Sequence, residues 1–130
     1  MVSYILENYK NTYNMSCIYL LKIGNVSELR KEMLIDEIYG DDNVILKFGL
    51  TTNLQNRIYD HYIKYSKIDG SNIELLYFSN INKNYLTKAE NEIKRLAIIY
   101  KCYFKYKNEK ELIIVHKNYI SYIKQYYDII

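Results

Sequence analysis

What the sequence lacks sets the first bounds. Its 130 residues contain no Pro and no Trp, two Cys, two His and four Gly. Arg occurs three times, at Arg30, Arg57 and Arg95. Cys17 and Cys102 are too few for a disulfide framework and have no metal-ligand spacing, so they read as two reduced thiols. No apolar run approaches the ~20 residues that span a bilayer, which argues against a transmembrane helix and a membrane partner. The opening "MVSYILENYK" lacks the charged-then-apolar layout of a signal peptide. A soluble intracellular protein is the expectation. No linker, repeat or low-complexity block divides the chain, and its length fits a single domain over residues 1–130.

What is abundant is narrow. Ile (20), Tyr (17), Lys (15) and Asn (14) make up 66 residues, about half the chain. These are the residues that A/T-rich codons encode, so an AT-rich genome explains them. A Tyr or Lys therefore carries little functional information here, while each Arg and His carries more. The net charge of +3 permits nucleic-acid binding without arguing for it. At 49% apolar residues the chain can bury a core.

Periodicity gives the order of elements. "SCIYLLKIG" (16–24) reads as a buried strand. The segment "NVSELRKEMLIDEIYGDD" then offers a short helix capped by Ser27, with Leu29, Met33 and Leu34 on one face, and a turn at "YGDDN". "VILKFGL" (44–50) is a second strand, and Gly49 is read as letting the chain turn off its end. Thr51, Thr52 and Asn53 are candidate caps for a helix from about Leu54 to Tyr65. A strand over 72–81, a long helix over "YLTKAENEIKRLAIIYKCYF", a strand over 110–115 and a closing helix complete the chain. This predicts an α/β (α+β) fold: a small, mainly antiparallel sheet of three to four strands flanked by helices.

Helical wheels place the polar residues. With Leu54 at zero, Ile58, His61 and Tyr65 fall within about 40° of it, and Arg57 flanks that stripe at about −60°. Arg57 and His61 share a face by their i,i+4 spacing. On the long helix, with Leu86 at zero, Ile93, Ala97, Tyr100 and Phe104 form the apolar stripe. Glu90 lies at its edge, about 40° away, while Glu92 faces solvent with Lys88 and Arg95. A carboxylate at a core edge needs a cation, a metal or hydrogen-bond donors. Two bland readings stand beside the functional one: Arg57 and Glu90 as a structural ion pair, and His61 as a satisfied core His.

In order along the chain, these residues resemble the GIY-YIG nuclease superfamily, especially its branch in large DNA viruses and phages. Cys17-Ile18-Tyr19 resembles the first motif and Lys47-Phe48-Gly49 the second. Thr51, Leu54, Arg57 and His61 follow the family's pattern on the next helix, and Glu90 in "KAENEIK" matches its metal-binding Glu. The likeness covers about residues 16–115. Cys17 stands where the family has Gly, and Lys47 stands where it has its second Tyr. An insert at about 25–43 replaces a short hairpin between the motif strands, as in viral relatives. Asn108 is the nearest candidate for an Asn that some members carry after the Glu helix.

The resemblance implies a metal-dependent endonuclease that hydrolyses phosphodiester bonds, with DNA as partner. It implies one Mg²⁺ (or Mn²⁺) held by Glu90 and waters. Arg57 would bind phosphate oxygens through its planar fork. Tyr19 would act as general base or orient the water, with a pKa lowered by nearby cations, and Lys47 would supply such a cation or, if desolvated, deprotonate the water itself. His61 would orient Tyr19 or touch the phosphate. Thr51, Arg57 and Lys22 are the candidate nucleic-acid contacts. In a virus, the location would be host cytoplasm or nucleus. Two alternatives remain: a GIY-YIG-like module with weakened catalysis that binds nucleic acid or a protein, and an unrelated small α/β protein. The Tyr-rich last helix, with Tyr119, Tyr122, Tyr126 and Tyr127, offers a homodimer contact.

Overall fold

A computed structural model describes residues 16–129 of the chain. Strand β1 (Cys17–Asn25) leads into a single-turn helix α1 (Val26–Leu29), and strand β2 (Asn43–Thr51) leads into helix α2 (Leu54–Tyr65). Strand β3 (Glu74–Asn80) is followed by helix α3 (Leu86–Ile99), and strand β4 (Leu112–His116) by helix α4 (Ile120–Ile129). The strand order is β3-β1-β2-β4, with every neighbouring pair antiparallel. The fold is α+β: a four-stranded antiparallel sheet with helices on its faces. Among the described residues no helix is long and apolar enough to cross a membrane.

Strand alternation splits the core into two layers. Cys17, Tyr19, Leu21 and Ile23 of β1 face Leu54, Ile58 and Tyr65 of α2. Ile18 and Leu20 face the other way, with Leu46, Phe48, Ala89, Ala97 and Tyr127. Each of these β1 side chains is almost wholly enclosed, as befits a central strand packed on both faces.

The connection between β1 and β2 packs onto the first layer through Leu29, Met33 and Ile35. Arg30 holds its shape. One guanidinium nitrogen donates to the Asp36 carbonyl at 3.0 Å, and the other to the Tyr39 carbonyl at 2.7 Å and the Asp41 carboxylate at 2.8 Å. Here the expected cap and face need correction. Asn25, not Ser27, precedes α1, and it makes no side-chain cap hydrogen bond. Leu34 is 87% exposed because its backbone turns left-handed (φ 53°) after one helical turn, which removes it from the face of Leu29 and Met33. The turn at "YGDDN" forms as expected, with the Asn43 N–H donating to the Gly40 carbonyl at 3.1 Å.

Helix α3 is shorter than its periodicity suggests. It ends at Ile99, so Tyr100 and Phe104 do not belong to its stripe. Lys101 takes a left-handed conformation (φ 54°), and the Cys102 N–H returns to the Ala97 carbonyl at 3.0 Å. This reversal normally draws Gly; here Lys fills it. Phe104 still reaches the core, because its N–H pairs with the Leu112 carbonyl beside β4.

Candidate active site

The site is built around Tyr19, which lies opposite Gly49 in the β1–β2 ladder. The phenol lies across Gly49: a Cβ there would sit 2.5 Å from the Tyr19 hydroxyl oxygen and 2.7 Å from Cζ. Gly49 is therefore inside β2, not at a turn, and its missing side chain makes room for a ring. This corrects the reading of Gly49 as the residue that turns the chain off the strand.

Beyond Gly49, Thr51 and Asn53 start α2. The Thr51 hydroxyl accepts from the Asn53 N–H at 3.0 Å, and the Asn53 side chain accepts from the Asn56 N–H at 3.1 Å, as an N-cap. Thr51 is buried and its hydroxyl is engaged locally. One turn into α2, Arg57 is exposed and His61 is buried, as the wheel expects.

Tyr19 Oη and His61 Nε2 are 2.7 Å apart. The imidazole lies between two phenols, 5.7 Å from the Tyr19 ring and 5.7 Å from the Tyr65 ring. Burial pushes His61 down to about 3, and the positive charges of Lys47, Arg57 and Lys64 push the same way. Burial holds the Tyr19 phenol well above its ordinary value, although the Arg57 guanidinium, by charge and hydrogen bond, pulls it down. The expectation of a lowered Tyr19 pKa is thus overturned: removing a phenolate from water outweighs one exposed guanidinium. At neutral pH a neutral phenol and a neutral imidazole share one proton between Oη and Nε2.

Carboxylates and ammoniums ring this pair. Lys47 is 6% exposed, and its Nζ lies 3.8 Å from Glu111 Oε2. Burial lowers the Lys47 pKa, and Glu111 and then Glu109 oppose that. Glu90, half-buried on α3, pairs with Lys94 at 3.0 Å. The charges of Glu111 and Glu90 act on the phenol from further off and raise Tyr19. Among the described residues Arg57 and Glu90 form no ion pair with each other, which removes the bland structural-pair reading. Tyr65 donates to Glu109 at 2.7 Å, and Lys64 pairs with the same carboxylate, tying the end of α2 to the segment before β4.

Of the expected site residues, Tyr19 and His61 are bonded, Arg57 acts on both, Lys47 acts on His61, and Glu90 acts on Tyr19 alone. Lys22 is not part of this group: alternation along β1 sends it to the face opposite Tyr19. Glu109 and Glu111 went unread in the sequence. Their i,i+2 spacing ahead of an apolar strand was the available signal, and it is a weak one among 15 acidic residues. Asn108 is exposed and has no described bond to the site. Cys17 is buried, with its thiol pushed up to about 11, which makes it a poor nucleophile. Of the last helix, Tyr119, Tyr122 and Tyr126 are exposed. Tyr127 is enclosed and donates its hydroxyl to the Tyr19 carbonyl at 2.7 Å, so it is not available for a dimer contact.

Among the described residues no three His, Cys, Asp or Glu side chains form a cage for a metal. Glu90 alone is a different donor: a partly solvated carboxylate, 19% exposed, with the Lys94 ammonium 3.0 Å away. That suits a hard dication that keeps most of its waters and takes one or two carboxylates.

No family model matches the chain, and no solved structure matches it. Three uncharacterized proteins of Acanthamoeba polyphaga mimivirus are similar to it. One is 35% identical over 85 residues, 65% of this chain and 14% of the relative. Another is 38% identical over 79 residues, 61% of this chain and 17% of the relative. A third is 32% identical over 108 residues, 83% of this chain and 22% of the relative. The chain thus spans less than a quarter of the length of these viral proteins.

Proposed function

We propose that this chain is a metal-dependent endonuclease of the GIY-YIG type that hydrolyses phosphodiester bonds in DNA. The observation that carries this reading is the 2.7 Å Tyr19–His61 bond beside Arg57, Lys47 and Glu90. Phosphodiester hydrolysis needs a base for the water and positive charge for the phosphate. Arg57, exposed and forked, binds the phosphate oxygens. Lys47 adds a fixed positive charge from inside the sheet, held by Glu111.

Tyr19 and His61 move the proton. The phenol oxygen accepts a proton from the attacking water while its own proton passes to His61 Nε2. The water oxygen forms the new bond to phosphorus as the bond to the leaving oxygen breaks. In the free protein His61 is a weak base, partly because Lys47, Arg57 and Lys64 face it. A bound phosphate offsets those cations, so substrate raises the basicity of His61 when it is needed. Glu90 would hold a magnesium or manganese ion, which when bound supplies Lewis-acid stabilisation of the developing charge.

The rival reading, a module that binds nucleic acid or a protein without cutting it, draws on the Lys94 ammonium already resting on Glu90. Plasmid nicking with Mg²⁺ or Mn²⁺, compared with Glu90→Ala and Arg57→Ala, separates the two. Nicking that both substitutions abolish supports the nuclease. Nicking that survives both sinks the residue assignments, and tight DNA binding without nicking promotes the module.

A further inference from the structure

We propose that the chain forms a two-fold dimer in which the tyrosine ridge of α4 enters the groove of a second copy. A groove of about 740 Å³ runs between α3, β4 and α4. Tyr119, in the turn that opens α4, and Tyr122 and Tyr126 on the helix line one wall. Their i, i+3, i+7 spacing puts them on one side of α4. Tyr100, just past the end of α3, also lines the groove, and all four rings are 40–65% exposed. Codon bias accounts for the number of Tyr, not for their placement: of seven exposed Tyr among the described residues, four line this groove. The helix that carries the ridge is held in place. Tyr127 donates to the Tyr19 carbonyl at 2.7 Å, and Asp128 accepts from the Tyr77 hydroxyl.

Ridge and groove adjoin on one face, which is what a two-fold contact requires, since the same surface serves both subunits. Laid antiparallel about an axis near Tyr122 and Ile123, α4 sets Tyr119 against the partner's Tyr126 and Tyr122 against the partner's Ile123. At about 200 Å² per free Tyr, the four rings present about 450 Å², and half-buried Leu96, Val115 and Ile123 raise this to about 600 Å². Two copies would hide about 1,200 Å², the lower end of stable interfaces, which fits a micromolar dimer rather than an obligate one. Charge disfavours the rival occupant. Among the described residues that line the groove, Lys101 is the only Lys or Arg, and there is no Asp or Glu. A nucleic-acid strand needs a run of cations along its backbone. Aromatic side chains with few charges are instead the composition of a protein interface core.

Analytical ultracentrifugation of the full chain, from low micromolar to several hundred micromolar, tests this. Circular dichroism checks that each variant is folded. Wild type should pass from monomer to dimer with a Kd of about 10 µM. Tyr122→Asp brings two carboxylates together near the axis and should weaken the dimer about a hundredfold. Tyr122→Phe keeps the ring and should stay within about threefold of wild type. Tyr119→Lys and Tyr126→Glu should each weaken the dimer about tenfold, and the two variants mixed should pair more tightly than either alone. A wild type that stays monomeric throughout overturns the proposal. Such a monomer binding a single-stranded oligonucleotide, with binding lost in Tyr122→Ala, overturns it in favour of nucleic acid. A dimer that survives Tyr122→Asp lies on another face and overturns it as well. A mixture no tighter than its components overturns the antiparallel pairing.

Discussion

Gly49→Ala is a one-methyl perturbation at the centre of the site, and the structure fixes its sign. Glycine inside a strand is entropically unfavourable, so generic propensity expects Ala to stabilise by about 0.5 kcal/mol or more. The local geometry says the reverse. The new Cβ would stand 2.5 Å from Tyr19 Oη, 2.7 Å from Cζ and 3.0 Å from Cε1. Comfortable contact begins near 3.5 Å, so the ring must shift by about 1 Å. It has nowhere to go: Tyr19 is 1% exposed on a strand paired on both sides, and its hydroxyl is held by His61. Overpacking of this kind costs about 1–3 kcal/mol, and losing the Tyr19–His61 bond adds about 1 kcal/mol. The sum, about 2–4 kcal/mol, corresponds to a fall of roughly 10 °C in Tm. Thermal unfolding by circular dichroism reads it directly. A double-mutant cycle locates it: in a Tyr19→Leu background the contact atoms are gone, and the Ala penalty should shrink below about 1 kcal/mol. Gly49→Ala within about 0.5 kcal/mol of wild type would refute the packing argument. So would an equal penalty in both backgrounds.

Three further outcomes follow from the same contacts. His61 is held at about 3 when folded, against about 6.5 unfolded, so the unfolded chain takes up a proton that the native state refuses. Stability contributed by neutral His61 is complete above about pH 6.5 and falls as pH drops toward 3, by roughly 5 kcal/mol in all; in urea titrations from pH 8 to pH 4, His61→Gln should flatten this slope, and an unchanged slope contradicts the buried neutral imidazole. Glu111→Gln leaves the Lys47 ammonium without its nearest carboxylate and should cost about 2–3 kcal/mol, less than for a fully buried pair because Glu111 is 29% exposed. Lys47→Met/Glu111→Gln should recover most of that loss in the same denaturation assay, and a double variant no more stable than Glu111→Gln denies the pairing. Tyr127→Phe removes the 2.7 Å bond to the Tyr19 carbonyl from a buried site and should lower stability by about 1–2 kcal/mol, with a neutral result pointing to a substitute donor.

The sheet and helix order was legible because apolar runs and wheel stripes recur on clear periods. Helix α2 has the expected bounds, Leu54–Tyr65, because Asn53 caps it and Leu54, Ile58, His61 and Tyr65 all face inward. The misses have local causes. Leu34 and Lys101 adopt left-handed backbone conformations that sequence assigns to Gly or Asn, so α1 and α3 end earlier than their apolar patterns suggest. Gly49 looked like a turn residue because its neighbours are cap residues. Only the register opposite Tyr19 reveals its steric purpose. At the site, spacing brought Arg57 and His61 to one helix face. Glu111 needed the β2–β4 pairing, which sets it beside Lys47 across 64 residues of chain.

The sign of the Tyr19 shift bears most on how such a site would work. Nearby cations were expected to lower the Tyr19 pKa. Burial keeps the phenol and the imidazole both neutral, with the charges of Arg57, Lys47 and Lys64 against those of Glu90, Glu109 and Glu111 acting on them. Those six side chains sum to zero, so no net charge ionises the buried phenol, and the exposed Arg57 guanidinium is the group a phosphodiester meets. The anion is then what shifts the proton toward His61, so any nicking should titrate with an apparent pKa well above about 3, the value of free His61. Because His61 and Tyr19 share that proton, Tyr19→Phe and His61→Gln should each remove the same limb of the pH profile, and removing both should cost no more than removing one.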